Sequence, residues 1–325
     1  MRAIFAGAAL LSAVVTGAVT GALGQSGYPD RPIKILVGFT PGVAPDISSR
    51  LIGDKFTEAW GKPVVVENVT GAGGNIATDR AAKSPPDGYT LVMGGNASIV
   101  FNASLMKLPY DPIGDFAPIT QVFIAANVLA IPPEIPAKTI PELVAYAKAN
   151  PGKLTYGHAG VGTSQHLGGE LFKFITKTDI QPVAYRGSTA IMPDLIAGRV
   201  SMCFCNVVNV LPLAREGKLR IFAVTSKKRS AAAPDLPTMI ESGFPDFDVV
   251  PWFGLMAPAG TPPDIIEKLY RETIRILAMP DVRRKLEELG LDVIGNSPKE
   301  FADLIKAEIP QWGTMIKAAG IKLSE

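Results

Sequence analysis

Apolar residues along this chain fall into short continuous runs, separated by stretches in which they recur at helical spacing. The runs at 33–39, 63–67, 90–93, 154–157, 182–185, 200–205, 220–225 and 249–256 predict strands, several of them apolar throughout, as strands buried on both faces of a parallel sheet are. Helix starts are legible between them. Thr139-Ile-Pro-Glu142, Thr261-Pro-Pro-Asp264 and Ser297-Pro-Lys-Glu300 each set a hydroxyl three residues before an acidic side chain, with Pro in the first turn, which is a capping-box pattern. Gly198, Gly217 and Gly320 sit where helices would stop. Alternation of this kind predicts an α/β fold with mainly parallel sheets flanked by helices.

Two Pro-rich breaks divide the pattern. Pro132-Pro133-Glu134-Ile135-Pro136 follows the apolar run 122–131, which is interrupted by Asn127, and Ala231-Ala232-Ala233-Pro234-Asp235-Leu236-Pro237 follows the strand ending at Thr225. The expected organisation is one lobe formed by 28–126 with 226–325 and a second lobe, 127–225, inserted into it. Two crossings between lobes make a hinge, with a ligand cleft between the carboxyl ends of the two sheets. Before this comes Arg2, an apolar run over 3–19, and the small-residue triplet Ala22-Leu23-Gly24. That order predicts a secretory signal peptide over 1–24 and export to the periplasm. No later run has the length of a membrane span.

Composition narrows the chemistry. With 47% hydrophobic and 19% charged residues, and Lys+Arg 32 against Asp+Glu 30, the chain is too apolar for disorder and too balanced to seek nucleic acid through a basic surface. Two His and two Cys exclude zinc fingers and disulfide scaffolds, and no metal or cofactor is expected. Cys203 and Cys205, two apart in a strand, share a face at a spacing wider than a disulfide prefers, and so read as buried free thiols.

Four strand-to-helix loops are small, polar and nearly uncharged: Phe39-Thr40-Pro41-Gly42-Val43-Ala44-Pro45-Asp46, Thr70-Gly71-Ala72-Gly73-Gly74-Asn75, His158-Ala159-Gly160-Val161-Gly162-Thr163-Ser164 and Arg186-Gly187-Ser188-Thr189. Each offers backbone N–H groups at a helix start, where partial positive charge favours an anion. Two come from each lobe, which suits a small anion with polar groups at both ends. Sharper motifs fail. The stretch 157–164 has Walker A spacing but Thr163 in place of the Lys, and 71–77 lacks the third Gly of the dinucleotide fingerprint. Ser104-Leu105-Met106-Lys107 lacks the companion motifs of β-lactamase-like enzymes, and no nucleophile elbow occurs. An exported hydrolase using His166 or His158 and a sensory module presenting its ligand to a membrane receptor stay open as alternatives. Asp46 reads as an early-helix residue bonding its own backbone, though it sits in the right loop for a ligand contact.

The chain resembles the substrate-binding proteins of tripartite tricarboxylate transporters, the Bug or tricarboxylate-binding family. The likeness rests on Tyr28 to Ile33, Phe39-Thr40-Pro41-Gly42 with Asp46 and Arg50, Val64 to Asn68 with Gly71 to Gly74, and Pro86 to Leu91. It continues through Tyr156 to Leu167, Tyr185-Arg186-Gly187, Asp194-Leu195 with Gly198, Phe204 with Asn206, Gly217 to Arg220, Trp252 to Leu255 and Ala257 to Pro262. The resemblance implies a two-lobed periplasmic binding protein, a monomer and not an enzyme, that captures a small carboxylate and delivers it to a membrane permease of two subunits. It implies contacts from Thr40 and Ala44, from Gly162, Thr163 and Ser164, and from Arg186, Gly187 and Ser188, with Asn96 to Ser98 and Asn206 lining the same cleft. Three departures stand out: Val43 and Pro45 replace a Gly and a hydroxyl in the first loop, Cys205 an Asp, and His158 a Ser. Together they imply a ligand less polar than citrate, an aromatic or branched acid.

Overall fold

The computed structural model describes residues 27–321; the expected signal peptide lies outside them. Among the described residues eleven strands form two sheets. The first contains β1 (Ile33–Val37), β2 (Val64–Asn68), β3 (Thr90–Gly95), β4 (Phe116–Ala125), β10 (Trp252–Pro258) and β11 (Leu291–Val293), in the order β11-β4-β10-β3-β1-β2. The second contains β5 (Asn127–Ile131), β6 (Leu154–His158), β7 (Ile180–Ala184), β8 (Met202–Asn206) and β9 (Arg220–Val224), in the order β7-β6-β8-β5-β9. The two-lobed α/β architecture is therefore present, but each sheet is mixed rather than mainly parallel. A parallel core of three, β2-β1-β3 and β7-β6-β8, is flanked by antiparallel strands. The added strands β4, β5 and β10 are those by which the chain passes between lobes, and each pairs antiparallel to a strand of its parallel core or to another crossing strand.

The passages are tied together by backbone hydrogen bonds: Ala125 N–H to Pro251 O at 2.9 Å, Thr225 N–H to Asn127 O at 2.8 Å, and Val249 N–H to Thr225 O at 3.2 Å. Residues 226–249 lie on the second sheet before crossing. Thr238 bridges to Val224, Phe244 packs on Phe172, and Phe247 stacks on Phe204 with ring centres 5.4 Å apart. These rings join a buried cluster that continues through Trp252 and Phe301 of the first lobe, so apolar packing spans the crossing. Burial of each fully covered ring, Phe172, Phe204 and Phe247, stabilises by about 2–3 kcal/mol.

Helix starts follow the expected chemistry in two of three places. Thr139 accepts from Glu142 N–H, and Ser297 with Glu300 completes a capping box. Thr261 does not cap: its hydroxyl donates to Pro258 O at 2.8 Å and the helix starts one residue later, after Pro262. Cys203 and Cys205 are also not free. Their Cα atoms are 5.4 Å apart, inside the disulfide range, and the two are bonded. The same-face placement holds, while the strand is shorter across this pair than ideal geometry gives. Among the described residues no helix is long and apolar enough to cross a membrane.

Candidate functional site

The carboxyl ends of the two parallel cores face each other, and the four uncharged loops meet there. In the first lobe the loops after β1 and β2 are fused by a close backbone approach: a Cβ on Gly38 would lie 2.5 Å from Gly74 Cα, so only glycine fits. The two lobes come into contact here: the place of a Cβ on Gly73 is 3.9 Å from Val161 O of the second lobe.

Asp46 fixes the first loop from beneath. It is 2% exposed; its Oδ2 accepts from Gly42 N–H at 2.8 Å, and its Oδ1 accepts from Arg50 Nε at 3.0 Å and Asn68 Nδ2 at 2.9 Å. Burial opposes the carboxylate, but the hydrogen bonds from Arg50, Gly42 and Asn68 hold its pKa below the usual range. Both oxygens are thus engaged in shaping the loop. Above it, Thr40 is exposed and Ala44 opens the helix Ala44–Trp60, whose first N–H groups have no acceptor within the helix. Asn96 and Ser98 are buried: Asn96 donates to Val250 O at 2.7 Å, locking the crossing segment, and Ser98 accepts from Thr78 and donates to Gly95 O.

In the second lobe, Thr163 caps the helix Ser164–Thr176, accepting from His166 N–H at 3.4 Å and donating to Gly160 O at 2.7 Å. Several amides of this loop turn inward. Gly160 N–H goes to His158 Nδ1 at 3.2 Å, Gly162 N–H to His166 Nδ1 at 3.5 Å, and Ala159 N–H to Gln165 Oε1 at 2.9 Å. The two imidazoles lie 4.8 Å apart at their centres. Burial lowers the pKa of both, that of His166 to about 4 with a further push from His158, so both are neutral acceptors at neutral pH. His166 is therefore a support of the loop, with its Nδ1 engaged, rather than a base beside a nucleophile.

The hydroxyls of Ser164 and Ser188 are set differently. Ser164 Oγ accepts from Asn127 Nδ2 at 3.1 Å, and Ser188 Oγ accepts from Gln165 Nε2 at 2.8 Å. The oxygen of Gln165 is held by Ala159 N–H, so its nitrogen must face Ser188. Each serine accepts from an amide and keeps its own proton for a further acceptor. Gly187 has φ of 106°, a left-handed value suited to glycine, and sets the chain for the short turn Ser188–Ile191. Tyr185 before it is anchored to Asp194 at 2.7 Å, and Arg186 at the tip is exposed. Asn206 caps the helix Val207–Arg215 through Val208 N–H at 3.1 Å. Two orienting residues, Asn127 and Gln165, are not among the site residues expected from the sequence. Asn127 had a visible signal, a lone amide in an apolar run. Among the described residues no cluster of His, Cys, Asp and Glu has metal-holding geometry.

The family model of the tripartite tricarboxylate transporter family receptor matches residues 48–321. The chain belongs to this receptor family. Members of the family are periplasmic solute-binding receptors rather than enzymes, and this receptor is accordingly not an enzyme. Protein BugT of Bordetella pertussis is 35% identical over 312 residues, which span 95% of this chain and 96% of BugT. An R. palustris protein solved with adipate superposes with a TM-score of 0.83 at 35% identity, covering 91% of this chain and 99% of that one. MatC from Rhodopseudomonas palustris with bound malate gives a TM-score of 0.81 at 32% identity over 89% of this chain and 100% of MatC.

Proposed function

We propose that this receptor captures a small dicarboxylate in the periplasm by closing its lobes, and hands it to a two-subunit membrane permease. The observation that carries the reading is the pair Ser164 and Ser188: two hydroxyls, each already accepting from an amide and left as a donor, one opening a 13-residue helix and the other held beside its first turn by Gln165. One carboxylate sits on these hydroxyls and the N–H groups of that helix start, with Gly162, Gly187 and Arg186 around it. The opposite end of the solute meets Thr40 and the N–H of Ala44, while Asn96, Ser98 and Asn206 hold the walls. Thr163 and Asp46 act from beneath, by fixing the two loops. Val43 and Pro45 make the first loop more apolar, which favours a solute with an apolar middle over a densely hydroxylated or tricarboxylic one. Relatives solved with adipate and malate support a dicarboxylate.

The test is thermal unfolding of the mature protein across mono-, di- and tricarboxylates and aromatic acids. A true solute at 100 times its Kd adds about 2.7 kcal/mol. For a chain of this size that raises Tm by about 4 °C. A panel without any stabilising acid overturns the proposal.

A further inference from the structure

The lobes touch between the loops assigned to the solute, at Asn102 and Gly162. Asn102 opens the short helix Asn102–Leu105 of the first lobe and is 0% exposed. Its Nδ2 donates to Asn75 Oδ1 at 2.9 Å, an oxygen also approached by Tyr110 Oη at 3.1 Å, while Asn75 Nδ2 donates to Met106 Sδ at 3.1 Å. In this arrangement Asn102 Oδ1 is turned to the second lobe. There it meets Gly162 so closely that a Cβ at 162 would overlap it. Among the described residues this Oδ1 has no donor.

We propose that Asn102 holds the unliganded receptor open: lobe closure carries its Oδ1 out of water onto the Gly162 backbone without supplying a donor, and the bound solute has to overcome that cost. The inference rests on the capture-by-closure reading above. A buried acceptor left without a partner biases the equilibrium by about 5- to 150-fold, here toward the open form. Gly162 is the complementary half of the contact, because any side chain there meets the Asn102 amide before the lobes are together. Gly160 also has a left-handed backbone, with φ of 123°, but the place of its Cβ meets nothing within 4 Å, so it separates the strain of a side chain from the block to closure.

The experiment uses nitroxides on Lys83→Cys of the first lobe and Lys148→Cys of the second, both exposed, in the protein whose two native cysteines are joined to each other. Pulsed electron–electron distance measurement on the unliganded protein should show a larger closed fraction in Asn102→Ala than in the parent. Added adipate should close Gly160→Ala and leave Gly162→Ala open; where adipate leaves the parent itself unmoved, it is the closure reading that fails. A folded Asn102→Ala with the parent's unliganded distances overturns the inference, as does a Gly162→Ala that closes like Gly160→Ala. Should Asn102→Ala not fold, the two glycine variants decide.

Discussion

Removing the Asp46 carboxylate separates a residue that shapes the site from one that touches the solute. Asp46→Ala deletes the acceptor of Gly42 N–H and Asn68 Nδ2 at 2.8 and 2.9 Å, in a position only 2% exposed. Hydrogen bonds to a charged group are worth about 1.5–3 kcal/mol each, and part returns when water enters the space. The Arg50 pair adds little, because the Arg side chain is 48% exposed and screened. The expected loss is about 3 kcal/mol. With about 2.1 cal/mol/K of unfolding entropy per residue, a fold of this length should lose about 5 °C in Tm. The loss should depend on pH. The folded pKa of Asp46 is lowered, so its stabilisation is present above the unfolded value of about 3.9 and fades as pH falls through the folded pKa. Calorimetry of both proteins at pH 7 and in steps below pH 4 checks this. A variant as stable as the parent at pH 7, yet defective in binding, would make Asp46 a solute contact and not a support of the loop.

Ser188→Ala should weaken carboxylate binding by about 10- to 150-fold, measured by titration calorimetry, because one hydrogen bond to a charged group is lost; unchanged affinity would place the solute elsewhere. Thr163→Ala should cost about 1 kcal/mol of stability through the lost cap of the helix Ser164–Thr176, with a smaller change in affinity than Ser188→Ala. His166 is lowered to about 4 in the fold against about 6.5 unfolded, so its contribution is full above pH 6.5 and lost as pH falls toward 4, by up to about 1.4 kcal/mol per pH unit. His166→Gln should flatten that window, and an unchanged slope would contradict the assignment.

The two lobes were legible because continuous apolar strands alternate with capped helices, and the four strand-to-helix loops because Gly, Ser and Thr cluster there without charge. Of the crossing strands, β10 was legible as the run 249–256, but β4 and β5 were not, since the apolar run over 122–131 has no period that separates one strand from the next. Local spacing also misled at Thr261, whose hydroxyl turns back to Pro258, and at Cys203 and Cys205, where the strand is shorter than ideal. The partners of the site residues depend on contacts distant in sequence, 37 residues from Asn127 to Ser164 and 23 from Gln165 to Ser188. Such pairings exist only once the strands are ordered, so no local pattern announces which serine keeps a proton to donate.

The central claim is that uncharged donors, not basic side chains, hold the solute's carboxylate. A crystal structure of the receptor with the acid that stabilises it most tests this directly. Carboxylate oxygens are expected within about 2.7–3.2 Å of Ser164 Oγ, Ser188 Oγ and the N–H groups at the start of the helix Ser164–Thr176. A carboxylate held by Lys or Arg side chains away from these serines would contradict it.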